Sequence, residues 1–230
     1  MQSASAIATD TAALERLGGA TLHIVHDLKN QLNGLKLYAT FLRKRLDRDD
    51  QPQDERETLA KLISGLDRAA KDLTALVRYA RPLELQKQPG VDVMRIVTNV
   101  IAEAAERETG GLPKVIIASH FEGDSFIGEF DSSALSEAIK AITDDVRATI
   151  SPKAPQAISI TMAAGEPDQV VIEWRGGRFN TRNSALAHGC GTIHTELAAK
   201  IIEVHGGNLI CQNDVIQVSL PISNKKLKDE

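Results

Sequence analysis

His26-Asp27-Leu28-Lys29-Asn30 puts an imidazole, a carboxylate, an ammonium and an amide within one short run. Imidazole is close to neutral at pH 7, so a ring nitrogen can act as a nucleophile toward phosphorus. Asp27, next to it along the chain, could orient the ring or shuttle its proton, because acid–base work needs a group within hydrogen-bond reach. Lys29 and Asn30 lie one turn on and share a face with His26 at helical spacing. Lys29 could pair with a phosphate or with an acidic partner surface. His23, one turn earlier, lacks a following acid and is assigned to packing or capping. His120, His188, His194 and His205 have no metal-ligand spacing, and His205 belongs with the glycine stop of a helix.

The run is carried by a helical pattern. Val25, Leu28, Leu32, Leu35, Ala39, Leu42 and Leu46 alternate in steps of three and four, the heptad seam of a packed helix. His26 follows a seam residue, so it sits beside the seam and faces partly toward solvent. The first helix is expected over residues 13–46, and the polar run Asp47 to Pro52 ends it. A second helix begins near Asp54, repeats the rhythm at Leu59, Leu62, Leu66, Ala69, Leu73, Leu76 and Ala80, and stops before Pro82. Matched seams joined by a short loop predict an antiparallel hairpin. Two helices close no core and leave an apolar face in water. Each buried aliphatic side chain is worth about 1.5–3 kcal/mol. A dimeric four-helix bundle is therefore expected through residues 13–82, the alternative being packing on the chain's own second domain.

After a linker from Leu83 to Gly90 the pattern turns to mixed α and β over residues 91–222. A helix is expected over 91–107, then strands over 114–120 and 125–130 separated by a Gly-Asp turn. A helix over 132–150 follows, with Asp131 or Ser132 as cap. Residues 156–163 and 169–174 read as a hairpin, and 192–204 as a helix stopped by Gly206-Gly207. Residues 208–211 and 215–220 form a last hairpin. The fold class is α+β.

Composition narrows the partners. A net charge of −4 gives no basic stripe for nucleic acid. No apolar run reaches membrane-spanning length, and residues 1–13 lack the order of a signal peptide. A cytoplasmic location and no membrane association are expected. Cys190 and Cys211 are too few for a disulfide framework and read as inert thiols. Aromatics make up 3%, so the core is mostly aliphatic.

Taken in order, residues 15–222 resemble the catalytic half of a sensor histidine kinase. His26 to Leu32 resembles the H box of the dimerisation and histidine-phosphotransfer domain, and Leu197 to Gly207 resembles the helix and turn that close the ATP-binding domain. The nucleotide motifs depart from the family. Ala141 and Asp145 stand at the two asparagine positions of the N box. In Glu173-Trp174-Arg175-Gly176-Gly177, Glu replaces the adenine-accepting Asp and Arg175 the first glycine, where it would intrude on the adenine pocket. Gly189 and Gly191 are one residue out of register with the last glycine box, and Thr192 reads as a helix cap. Residues 178–188 are too short for an ATP lid. The resemblance thus implies a kinase-like α/β sandwich that binds no cofactor.

The resemblance further implies that His26 is the phospho-acceptor of a phosphorelay. It would pass a phosphoryl group between aspartates of response-regulator receiver domains, which bring their own Mg²⁺. Asn30 matches the position that holds a water for dephosphorylation. The receiver surface would comprise His26, Lys29 and Asn33, the facing second helix, and apolar contacts from Leu22 and Leu37. A surface of the degenerate domain could assist. The alternatives are a divergent ATP-dependent kinase core and a non-catalytic dimeric adaptor for response regulators.

Overall fold

The computed structural model describes residues 25, 28–44, 53–106, 116–122, 125–149, 157–165, 168–176, 192–212 and 214–223. The chain divides into two compact units, Met1–Pro82 and Leu83–Glu230.

In the first unit, α1 covers residues 28–44 and α2 Gln53–Ala80. Ala39 packs with Leu59 and Ile63, and Leu66 borders that cluster. Lys36 is ion-paired with Asp67. Earlier residues of α1 thus meet later residues of α2, and the helices run antiparallel. The seam anticipated from sequence divides into two rows. Val25 and Ala39 are buried and Leu32 half-buried, while Leu28, Leu35 and Leu42 are exposed. Leu59 is buried and Leu66 half-buried on α2, while Leu62 and Leu76 are exposed. One row closes the hairpin; the other stays open.

The second unit is built from β1 (Gln88–Asp92), α3 (Val93–Glu106), β2 (Ile116–Phe121), β3 (Ile127–Phe130), α4 (Ser132–Ala148), β4 (Ala157–Gly165), β5 (Gln169–Arg175), α5 (Ile193–Val204), β6 (Asn208–Gln212) and β7 (Val215–Pro221). Five strands form a mixed sheet in the order β2-β4-β5-β7-β6, with only β2 and β4 parallel. β1 pairs antiparallel with β3 in a separate two-stranded ribbon. Strand β1 falls at the end of the expected linker, where Pro89-Gly90 hides the β pattern. β2 and β3 do not form a hairpin, since each finds a partner far along the chain.

Alternate residues of the sheet face the helices. Ile158, Ile160 and Met162 on β4, Val170, Ile172 and Trp174 on β5, and Ile216, Val218 and Leu220 on β7 are all buried. They meet the apolar sides of α4 and α5, including Leu135, Ile139, Ile142, Leu197, Ile201 and Ile202. This aliphatic core needs few rings.

One end of the α4–α5 pair is fastened by His205. Its Nδ1 lies 2.8 Å from the Ile201 carbonyl and its Nε2 accepts from the Asp131 N–H at 3.0 Å. One nitrogen must donate and the other accept, so the buried ring is neutral. Asp131 caps α4, accepting from the N–H groups of Ser133 and Ala134 and also from Gln86. Lys87 donates to the Val204 carbonyl at the end of α5. Gly206 (φ +83°) and Gly207 then turn the chain into β6, and a Cβ on Gly207 would stand 2.3 Å from the Ser219 carbonyl oxygen.

Burial lowers the His205 pKa below its ordinary 6.5, assisted by the charge of Lys87 and opposed by the Ile201 hydrogen bond and by Asp131. Backbone N–H groups, Ala134 first and then Gln86, lower that of Asp131. A native pKa below the unfolded one means that the unfolded chain binds more protons between the two values. The His205 contribution is therefore full above about pH 6.5 and is lost as pH falls from there through the lowered native value; that of Asp131 is lost further into acid. The urea midpoint followed through Trp174, the single tryptophan, should fall between pH 7.5 and 5.5, and His205→Leu should flatten that slope. An unchanged slope in the variant would assign the pH dependence to other groups.

Candidate functional site

On α1, Asn30 and Asn33 are exposed and Lys29 is half-buried. The steps of three and four that relate Asn30, Asn33 and Leu37 are those of one helical stripe. His26, Asp27 and Leu22 lie outside the described residues. Leu37 is 69% exposed, and beside it Tyr38 is 70% and Phe41 65% exposed. Three large apolar side chains on one helix face are more than scattered surface residues require. Sequence reasoning named Leu37 but passed over Tyr38 and Phe41. The signal was present: in a chain this poor in rings, two fall off the seam one and four residues after Leu37.

A different face carries the open leucines. The antiparallel register of Lys36–Asp67 sets Leu28, Leu35 and Leu42 about level with Leu76, Ala69 and Leu62. Each helix of the hairpin therefore carries its own exposed apolar row.

In the second unit, the residues expected at the nucleotide motifs are brought to α4, β5 and the start of α5. Trp174 points to the helical side, fully buried, and its Nε1 donates to Thr143 Oγ1 on α4 at 3.1 Å. Glu173 and Arg175 alternate to the opposite side of the sheet. There Arg175 pairs with Glu173 at 2.6 Å, and Gln217 donates to Glu173 at 3.0 Å. The expected intrusion of Arg175 on an adenine pocket is thus corrected: an indole, not the guanidinium, occupies the helix-facing position. The six residues Glu173, Arg175, Ile210, Gln212, Val215 and Gln217 line a cavity of about 300 Å³ on the open face of the sheet. It is on the wrong side for a site built from α4 and α5.

Thr192 caps α5, accepting from the Thr195 N–H at 3.1 Å. The Thr192 and Thr195 hydroxyls both donate to Asp145 Oδ2 on α4. The carboxylate at an expected asparagine position is therefore turned onto the first turn of the neighbouring helix. Ala141, at the other, has no polar group to offer. Gly189, Cys190, Gly191 and the segment 178–188 lie outside the described residues. Cys211 on β6 is disulfide-bonded, not an inert thiol. A low cysteine count argues against a framework but not against one bridge, which needs only a suitable approach of two Cα atoms.

Among the described residues, no group of three or more His, Cys, Asp or Glu side chains is gathered as metal ligands would be. Among them, no helix is long and apolar enough to cross a membrane.

No family model matches the chain, and no curated protein matches it in sequence. Among solved structures it is similar to full-length ShkA in complex with AMPPNP, with a TM-score of 0.62 and 14% identity over 89% of this chain and 46% of that one. It is also similar to the Acinetobacter baumannii histidine kinase AdeS, with a TM-score of 0.58 and 13% identity over 84% of this chain and 96% of that one. The chain spans about half the length of ShkA. At such identities the likeness is one of fold alone, an α+β fold similar to that of these two structures.

Proposed function

We propose that the chain is a phosphorelay histidine phosphotransferase working through His26 with receiver-domain partners. The observation that carries this reading is the pairing of Asp145 with Thr192 and Thr195, in which the carboxylate at an expected asparagine position of α4 is taken up by the cap and first turn of α5. The buried indole of Trp174 adds to it. A unit so filled has no use for ATP, and the phosphoryl group must come from a protein.

The transfer balances without a cofactor on this chain. A neutral His26 nitrogen attacks the phosphorus of a receiver aspartyl phosphate; the P–N bond forms as the P–O bond breaks, and the aspartate leaves as a carboxylate. The second ring nitrogen gives up its proton toward Asp27. The receiver's Mg²⁺ neutralises charge on the transferring oxygens. Lys29 pairs with phosphate or with the receiver's acidic pocket, and Asn30 orients a water when the phosphohistidine is hydrolysed. Reversal hands the group to a second receiver.

The partner surface is the α1 stripe: Asn33 and Leu37 with Leu22, extended by the exposed Tyr38 and Phe41. The open row of Leu28, Leu35, Leu42, Leu62 and Leu76 is given to a second copy of the hairpin, closing a four-helix bundle. The competing reading, an ATP-dependent kinase core, is favoured by the likeness to ShkA with AMPPNP. Label separates the two.

Wild-type protein mixed with a ³²P-aspartyl receiver should acquire acid-labile label, His26→Ala should acquire none, and [γ-³²P]ATP alone should label neither. Labelling from ATP would establish the kinase reading instead. Leu35→Glu should turn a dimer into a monomer in sedimentation equilibrium, whereas a monomeric wild type would leave the open row without its assigned cover. Tyr38→Ala and Phe41→Ala should each weaken receiver binding about tenfold without changing sedimentation. Unchanged titration curves would move the docking surface elsewhere.

A further inference from the structure

The first turn of α5 has N–H groups that need acceptors and the positive end of a helix dipole, so it favours an anion. Here it already has one. Thr192 Oγ1 is used as acceptor by the Thr195 N–H, so its own proton has to go elsewhere, and it goes to Asp145. The Thr195 hydroxyl goes to the same oxygen. The Glu196 N–H is taken by the Thr192 carbonyl. A full negative charge borrowed from α4 thus sits over a turn whose Thr195 and Glu196 amides and two hydroxyls are engaged. Asp144, exposed beside it, adds a second negative charge.

We propose that the Asp145 carboxylate is a resident anion for α5, standing in for a ligand phosphate and latching α4 to α5 in an arrangement that needs no nucleotide to complete it. Its functional meaning rests on the nucleotide-free reading given above, but the contact itself does not. The latch sits at the opposite end of the α4–α5 pair from His205, because Asp131 begins α4 where His205 ends α5. The two helices are therefore tied at both ends, once by a neutral imidazole and once by a carboxylate.

The test is thermal melting of the full chain, followed through Trp174, in sodium phosphate and in sodium chloride of matched ionic strength. Wild type should melt at the same temperature in both. Asp145→Ala should melt about 4–8 °C lower in chloride, as loss of hydrogen bonds to a charged group predicts, and should regain part of that in phosphate. Asp145→Asn, which keeps the shape and an acceptor but not the charge, should fall between and also gain from phosphate. If Asp145→Ala does not fold, Asp145→Asn decides alone. Variants that melt like wild type in chloride would overturn the latch. Lowered variants that phosphate does not help, or a wild type that gains as much as they do, would overturn the resident anion. Label transfer from a phosphorylated receiver to His26, measured on the same proteins, separates the two ideas: its failure in wild type would sink the relay and leave the melting result intact.

Discussion

A buried histidine that must stay neutral governs the second unit. His205 can satisfy both ring nitrogens only by giving one proton to the Ile201 carbonyl and accepting one hydrogen bond from the Asp131 N–H. A charged ring would lose the acceptor and strand that N–H in the interior, a cost of about 1–3 kcal/mol for an unsatisfied buried group. Asp131 is fixed in turn, since its carboxylate caps the start of α4 and holds the incoming chain at Gln86. With this end set, the α4–α5 pair has one angle and one register, and Asp145 reaches Thr192 and Thr195 at the far end as a consequence. The buried Trp174 and Thr143 lie along the same path, so sheet and helices share a single packing solution.

The hairpin obeys a different constraint, a shortage of cover. Helices of this kind carry apolar stripes wider than one partner helix can bury. The described part of α1 therefore has Ala39 inside and Leu28, Leu35 and Leu42 outside. At about 25 cal/mol per Å² of apolar surface, such a row favours association strongly. The Leu37–Tyr38–Phe41 group lies off both rows and cannot be served by the same cover. The reading proposed above gives these two exposed apolar surfaces to two partners, a second hairpin along the leucines and a receiver along the stripe that includes Asn30 and Asn33.

Periodicity made most elements legible. The helix ends at Pro82 and Gly206, the Asp131 and Thr192 caps and two of the hairpins all follow from local chemistry and are found where local chemistry puts them. The misses share a cause. The linker expected over 83–90 holds most of β1, and the strands expected over 114–120 and 125–130 do not pair with each other; both outcomes depend on partners distant in the chain, which no local pattern reports. The side of the sheet that Glu173, Trp174 and Arg175 face follows from register, and register is set by the buried alternation of a whole strand, not by a five-residue motif. Asp145 was visible as a departure, but that its acceptor would be taken by two threonines fifty residues on was not. Tyr38 and Phe41 were overlooked because a seam search scores what is on the stripe and ignores what is off it.

The latch also allows the affinity of a nucleotide to be bounded. A phosphate seated on the first turn of α5 would have to displace Asp145 from both hydroxyls, and hydrogen bonds to a charged group are worth roughly 1.5–3 kcal/mol each. The displaced carboxylate would then stand near the incoming anion, beside Asp144, and repel it. Micromolar binding corresponds to about −8 kcal/mol, and losing twice that hydrogen-bond value leaves an affinity between roughly tenths of a millimolar and tens of millimolar. A cation could bridge Asp145 and a phosphate, yet the carboxylate would have to leave the threonines to do so, and Ala141 one turn earlier offers no second ligand. On the nucleotide-free reading proposed above, the inward-pointing carboxylate at position 145, with an alanine at 141, does more than withhold ligands. It converts the cleft between two helices into a bond between them, and a domain completed in this way can still present a rigid surface to a protein.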